Sequence, residues 1–138
     1  MMQRNLAEVA RSYIGTPFHH QGRLPGVGLD CAGVVVCAAK ECRVIIEDQQ
    51  NYASTPTNGM LERAVVAHCE SIQLADVMSG DLMLFRFLRE PQHLAVYDSG
   101  MLIHAYSAVG KVVLNSFDSA WRKRLVGCYR LRGANNVT

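Results

Sequence analysis

Gly28-Leu29-Asp30-Cys31-Ala32-Gly33-Val34-Val35-Val36-Cys37-Ala38-Ala39 joins a glycine-rich loop to an apolar run, with a cysteine at the junction. Whether this run is a strand or a helix decides the fold. Val34-Val35-Val36 would suit a strand, and periodicity cannot separate a short buried strand from a buried helix. Length, the alanines at 32, 38 and 39, and the polar Lys40-Glu41 end favour a helix from about Cys31 to Cys42. Asp30 is then its N-cap, with a carboxylate able to accept from an N–H one turn in. Cys31 falls in the first turn, where unpaired backbone amides and the positive end of the helix dipole favour a thiolate over a thiol. The expectation is a depressed thiol pKa at Cys31 and alkylation there ahead of Cys37, Cys42, Cys69 and Cys128.

Upstream, Leu6, Val9, Ala10, Tyr13 and Ile14 recur at helical spacing with Arg4, Glu8 and Arg11 on the other side, which predicts an amphipathic helix of about three turns stopped by Gly15 and Pro17. From Thr16 to Leu29 the glycines and prolines among Phe18, His19, His20 and Gln21 read as an ordered loop rather than an element. A loop this long in a small domain is usually functional.

Downstream, Asp48 to Asn58 is polar and ends in a Pro-Thr-Asn-Gly turn, and a second amphipathic helix runs from Met60 to about Cys69. The pattern then changes to period two. Ser79-Gly80-Asp81 is a turn and Leu82 to Leu88 a mostly buried strand. Arg89 to Gln92 is a loop, and His93–Tyr97 and Met101–Tyr106 are strands around an Asp98-Ser99-Gly100 hairpin signal. Lys111–Asn115 is a further strand, Ser119–Arg124 a helical turn, and Val126–Leu131 closes the sheet. Helices first and antiparallel strands after them make an α+β fold, as one domain over residues 1–138. A two-residue loop at Asp98 and Ser99 would pair Tyr97 with Gly100 and set His93 directly opposite His104 on one face; a three-residue loop would put them on opposite faces.

At 138 residues the chain can bury roughly two-thirds of the surface it exposes unfolded. Apolar residues make up 49% and charged residues 19%, the balance of a compact protein rather than a disordered one. A net charge of +2, evenly spread, does not argue for nucleic acid and does not oppose an anionic polymer. Five cysteines without a C-x-x-C pair support neither a disulfide framework nor a zinc knuckle. The N-terminus lacks the apolar core of a signal peptide, and no run approaches the ~20 apolar residues of a membrane span.

One cysteine at a helix start and two histidines on paired strands form a constellation suited to nucleophilic catalysis. A thiol needs an adjacent imidazole to take its proton and a third polar group to fix that imidazole's tautomer, roles that Cys31, His93 and His104 could fill in order. Amides at the helix start could stabilise an oxyanion. A zinc site from His19, His20, His93 and His104 is the alternative chemistry, although adjacent His19 and His20 tend to point apart and no ligand pair has the usual short spacing. A non-catalytic binding module, with each of these residues merely packed, is the other.

Gly15-Thr-Pro-Phe-His-His-Gln-Gly, Gly28-Leu-Asp-Cys-Ala-Gly, Ser79-Gly-Asp-Leu-Met-Leu-Phe-Arg, His93-Leu-Ala-Val-Tyr and Leu102-Ile-His-Ala-Tyr, in that order, resemble the NlpC family of cell-wall cysteine peptidases over roughly residues 6 to 131. The similarity is greatest to short, unsecreted members encoded by phages, prophages and phage-derived particles. The resemblance implies a papain-like fold with the nucleophile at a helix start packed on an antiparallel sheet, no cofactor, and hydrolysis of peptidoglycan stem peptides, typically between D-glutamate and the diamino acid. It implies Cys31 as nucleophile, His93 as base and His104 as third polar residue. Phe18, His20, Gln21, Asp30 and Ala32 then form the substrate or oxyanion side. It further implies tail or particle proteins as partners and action at the wall as part of a virion or phage-like particle, following the synthesis in the cytoplasm without a signal peptide that the N-terminal residues predict. An amidase or acyltransferase on the same fold and an inactive tail module are the alternatives. Phe18 stands where the family often has tyrosine, so His20, Gln21 or backbone amides would have to supply the missing donor.

Overall fold

A computed structural model describes residues 5–48, 59–87 and 91–134. Helix α1 (Leu6–Arg11) begins at Asn5, whose side chain accepts from the Glu8 amide at 2.9 Å. It is shorter than the apolar spacing predicts. After Arg11 the amides of Tyr13 and Ile14 reach back only three residues, to Ala10 and Arg11, so the end tightens into turns that still bury Tyr13. The segment read as a loop contains a small antiparallel hairpin, β1 (Arg23–Leu24) with β2 (Gly28–Leu29). Helix α2 (Cys31–Glu41) follows directly, so the valine run is helical as expected.

Helix α3 (Met60–His68) ends one residue short of the expected limit, because Cys69 opens a strand not expected from the sequence, β3 (Cys69–Ile72). A single 3-10 turn at Leu74–Asp76 leads on toward β4 (Leu82–Arg86), followed by β5 (Pro91–Asp98), β6 (Met101–Tyr106), β7 (Lys111–Ser116), the one-turn α4 (Ser119–Arg122) and β8 (Leu125–Leu131). The six larger strands form one antiparallel sheet in the order β3-β8-β4-β5-β6-β7. β8 therefore lies inside the sheet rather than closing it, with β3 on its outer side. Pro91 and Gln92, expected in a loop, belong to β5. The readings for Arg4, 49–58 and 88–90 lie outside the described residues.

Period-two alternation sorts the sheet into two faces. Leu82, Leu84, Leu94, Val96, Ile103 and Ala105 pack under α1 and α2 against Leu6, Val9, Val34, Val35 and Ala38. Met83, Phe85, Ala95, Leu102 and Trp121 form a second cluster on the opposite face. β4 is buried on both sides, which explains its unbroken apolar run.

The β5–β6 hairpin departs from the expected register. Asp98 pairs with Met101, Tyr97 with Leu102 and Val96 with Ile103, so the loop is Ser99-Gly100. Both loop residues have positive φ, 50° and 85°, the requirement of a type I′ turn, and glycine meets it more readily inside the loop than in a pair. Relative to the expected register the strands slip by two residues. Parity is kept, so His93 and His104 still share a face, but they are diagonal neighbours rather than directly opposite.

Two sites predict stability. Gly33 has Gly22 O at 2.2 Å from where a Cβ would stand. Gly33→Ala should therefore lower thermal stability by about 1–3 kcal/mol of overpacking, although helix propensity alone would make the change stabilising by up to about 1 kcal/mol. Asp81, fully buried, accepts two bonds from Arg130 (2.9 and 2.8 Å) and one from the Met78 amide (2.7 Å), tying β4 to β8. Asp81→Ala should cost about 3 kcal/mol in chemical denaturation, the low end for a broken buried pair, because the Arg130 side chain stays 31% exposed and can rehydrate.

Candidate active site

Asp30 organises the start of α2. Its Oδ1 accepts from the Gly33 amide at 2.8 Å and from Arg23 Nη1 at 2.9 Å, and its Oδ2 accepts from the Gln21 amide at 2.9 Å. Arg23 extends the link by donating from Nε to both carboxylate oxygens of Asp48 at 3.0 Å. The turn from His19 to Gly22 closes through a Gly22 amide to His19 carbonyl bond of 2.8 Å, with Gln21 at φ 60°. A non-glycine residue there is sparsely populated, and the Asp30 carboxylate on its amide holds it in place. Gly22 itself lies 2.5 Å, measured from a would-be Cβ, from the carbonyl of Gly28. The loop, the hairpin and the helix start are thus packed backbone to backbone.

This packing seats Cys31 in the wall of a cavity of about 220 Å³, which also borders Phe18, His20, Ala32, Gln92 and His93. The backbone amides of Leu94 and Ala32 donate toward the Cys31 sulfur and favour the thiolate, but burial and then the negative charge of Asp30 oppose them, and the thiol is pushed up to about 12. The expected depressed pKa is therefore not what this environment produces. Helix-start polarity is present, and desolvation outweighs it.

His93 enters the cavity wall from β5 beside a bulge. Phe85 pairs with His93 and Arg86 with Pro91, so Gln92 is the extra residue, and such bulges re-aim neighbouring side chains. Its Nε2 is 2.6 Å from His104 Nδ1, and His104 Nε2 is 2.7 Å from Asn115 Oδ1. His104 is fully buried and His93 nearly so. Burial, and then the neighbouring His104, lower the His93 pKa well below 6.5; burial also lowers that of His104, against a raising contribution from the Asn115 bond. Phe87, Tyr106 and Trp121 pack on the imidazoles, with ring centroids 5.2–5.8 Å from His93 and the Tyr106 ring stacked on His104 at 5.4 Å. Arg124 lies over Phe87 and Trp121.

The structure thus brings Cys31 and His93 to one cavity and bonds His93 to His104. Phe18, His20, Asp30 and Ala32 border the same cavity. Gln21 acts through its backbone amide, and its side-chain nitrogen is 3.4 Å from His20 Nε2. His19 is exposed, with Nδ1 against the His20 carbonyl, and among the described residues no group of three or more His, Cys, Asp or Glu is arranged to hold a metal. Arg23, Phe87, Trp121 and Asn115 were not singled out from sequence. Asn115 alone carried a signal: an asparagine, a residue depleted in strands, closing the apolar run Val112-Val113-Leu114.

No curated protein matches the chain. Among solved structures, an NlpC/P60 family protein from Bacillus cereus superposes with a TM-score of 0.72 at 20% identity, covering 95% of this chain and 40% of that one. The peptidoglycan hydrolase RipB from Mycobacterium tuberculosis gives 0.68 at 21%, covering 91% and 62%, and the NlpC/P60 domain of the peptidoglycan hydrolase SagA gives 0.65 at 21%, covering 95% and 100%. The chain therefore spans about two fifths of the Bacillus cereus protein and the whole of the SagA domain. These likenesses establish the papain-like arrangement of helices on an antiparallel sheet. The NlpC/P60 family model matches residues 15–130, nearly the whole described chain, and the protein belongs to that family.

Proposed function

We propose that the protein is a cysteine peptidase that hydrolyses amide bonds in peptidoglycan stem peptides, with Cys31 as nucleophile, His93 as general base and His104 as the residue that orients His93. The observation that carries this reading is the shared cavity of Cys31 and His93, together with the 2.6 Å bond that holds the His93 ring by Nε2 and leaves Nδ1 without a hydrogen-bond partner among the described residues. Family membership supports the substrate class, as do two structural neighbours described as peptidoglycan hydrolases.

In this mechanism both partners start neutral. The Cys31 sulfur attacks the scissile carbonyl carbon while His93 Nδ1 takes the thiol proton, so charge separates only as the reaction proceeds. Amides at the start of α2 stabilise the oxyanion. The imidazolium gives its proton to the departing amine, leaving a thioester, and His93 then activates the water that releases the acid. Backbone donors meet the need that a tyrosine hydroxyl would fill at Phe18. The bond between D-glutamate and the diamino acid is the proposed target, and the resemblance to short phage-encoded members extends the proposal to action within a tail or phage-derived particle.

Cys31→Ala should reduce release of muropeptides, followed by mass spectrometry, on the order of 10⁶-fold, with His93→Ala close behind and melting temperatures little changed. Undiminished digestion by Cys31→Ala would remove the mechanism. The pH dependence has a definite sign. His93 must be neutral to accept a proton, and its pKa is lowered, so kcat/KM should hold as pH falls through 6.5 and decline only well below it. With the thiol near 12, no alkaline limb from Cys31 should appear between pH 7 and 9, and iodoacetamide labelling of Cys31 should rise throughout that interval. A plateau of labelling below pH 7 would show a preformed thiolate instead.

A further inference from the structure

Asn115, His104 and His93 lie on the three adjacent strands β7, β6 and β5, and each is one diagonal step from the next on the same sheet face. Leu102 pairs with Asn115 and His104 with Val113, so Asn115 is two residues along from the partner of His104. The β5–β6 ladder pairs residues as far as Val96 with Ile103; counted on from there, His93 falls across from Tyr106, two residues beyond His104, and the His93 and Tyr106 ring centroids are 5.7 Å apart. The two diagonals give the hydrogen bonds of 2.7 Å and 2.6 Å.

We propose that Asn115 is a positioning residue of the reaction described above, fixing through two imidazoles which nitrogen of His93 is free to take the Cys31 proton. Asn115 presents its amide oxygen, an acceptor only, to His104 Nε2. His104 Nε2 must then carry the hydrogen. In the neutral ring Nδ1 is consequently bare and can only accept, so the 2.6 Å bond is donated by His93 Nε2–H. The neutral His93 ring therefore has its lone pair on Nδ1. Were Asn115 to donate instead, every proton in the chain would shift by one nitrogen and His93 Nδ1 would already be protonated, unable to act as base. His104 is fully buried, so its partners rather than solvent choose its tautomer. The same chain helps once charge develops, because the Asn115 oxygen favours a protonated His104. Tyr106 and His93 are the titratable groups against the His104 ring, and the Arg124 cation sits beyond Trp121 and Phe87.

The inference rests on the peptidase reading but is tested by a measurement that does not need activity. Long-range ¹H–¹⁵N spectra of the imidazoles in the intact chain should show His104 protonated at Nε2 in the wild type and in Asn115→Asp, which keeps an acceptor. They should show a population protonated at Nδ1 in Asn115→Leu, which has none. On muropeptides, Asn115→Leu should lower kcat about 10-fold or more, short of the roughly 10⁴-fold seen when a catalytic histidine is forced into the wrong tautomer, with KM unchanged. Asn115→Asp should restore kcat at pH 8 and move the acid limb of kcat to higher pH, since its carboxylate stabilises the protonated pair. A structural role would not move that limb, and the Asp variant keeps the test open should the Leu variant fail to fold. Nδ1 protonation of His104 in the wild type, or an acid limb unmoved in Asn115→Asp, would overturn the role of Asn115 while leaving the peptidase reading intact. An Nε2-protonated His104 in a wild-type protein that cleaves no muropeptide would overturn the peptidase reading, and with it the role, while leaving the hydrogen-bond chain in place.

Discussion

The Asp30 carboxylate is the point at which the loop, the hairpin and the central helix are joined. It caps α2 through Gly33, holds Gln21 in a left-handed conformation and pairs with Arg23, which in turn reaches Asp48. An N-cap bond is worth about 1 kcal/mol and bonds to a charged group about 1.5–3 kcal/mol each, so one side chain sets much of the local order. The arrangement works only because Gly22, Gly28 and Gly33 let backbones approach where a Cβ would collide. This accounts physically for the short string Asp30-Cys31-Ala32-Gly33. The carboxylate also has an electrostatic consequence, since its charge beside Cys31 raises the thiol pKa that the helix start and two amides lower. Burial does most to keep the Cys31 thiol protonated, and the charge of Asp30 adds to it.

A protonated thiol puts the burden of activation on the base. The base proposed above is His93, and burial among Phe85, Phe87, Tyr106 and Trp121 on the aromatic face of the sheet makes the neutral imidazole its ordinary form. In the proposed mechanism a neutral thiol and a neutral imidazole meet in a largely apolar cavity, and neither pays for an ion pair before substrate arrives. The start of α2 and the aromatic face of the sheet thus bring Cys31 and His93 to one cavity, beside the Gln92 bulge in β5.

Much of this was legible in the sequence for identifiable reasons. The helix from Cys31 and its Asp30 cap follow from composition and local hydrogen bonding, which do not depend on the rest of the fold. The same-face placement of His93 and His104 follows from strand parity, which survived a two-residue error in register. Pairing Gly100 with Tyr97 gives the wrong register because the positive φ of Gly100 belongs in the turn. β3 escaped notice because Cys69-Glu70-Ser71-Ile72 has little strand character of its own and owes its form to pairing with β8. The raised pKa of Cys31 is not legible in the sequence because helix polarity can be read locally, whereas desolvation depends on the tertiary packing that buries the thiol. Asn115 was missed since its partner is eleven residues away on a neighbouring strand, visible only once the register is known.

If Cys31 attacks the substrate as proposed, it carries the acyl group as a covalent intermediate. Rapid acid quenching of the protein with a stem-peptide substrate, followed by peptide mapping by mass spectrometry, should show an added mass equal to the acyl half of the substrate on the peptide containing Cys31, lost on mild alkaline treatment as a thioester would be. Turnover accompanied by an adduct on a different residue, or by none under conditions where hydrolysis of the intermediate is slow, would contradict it.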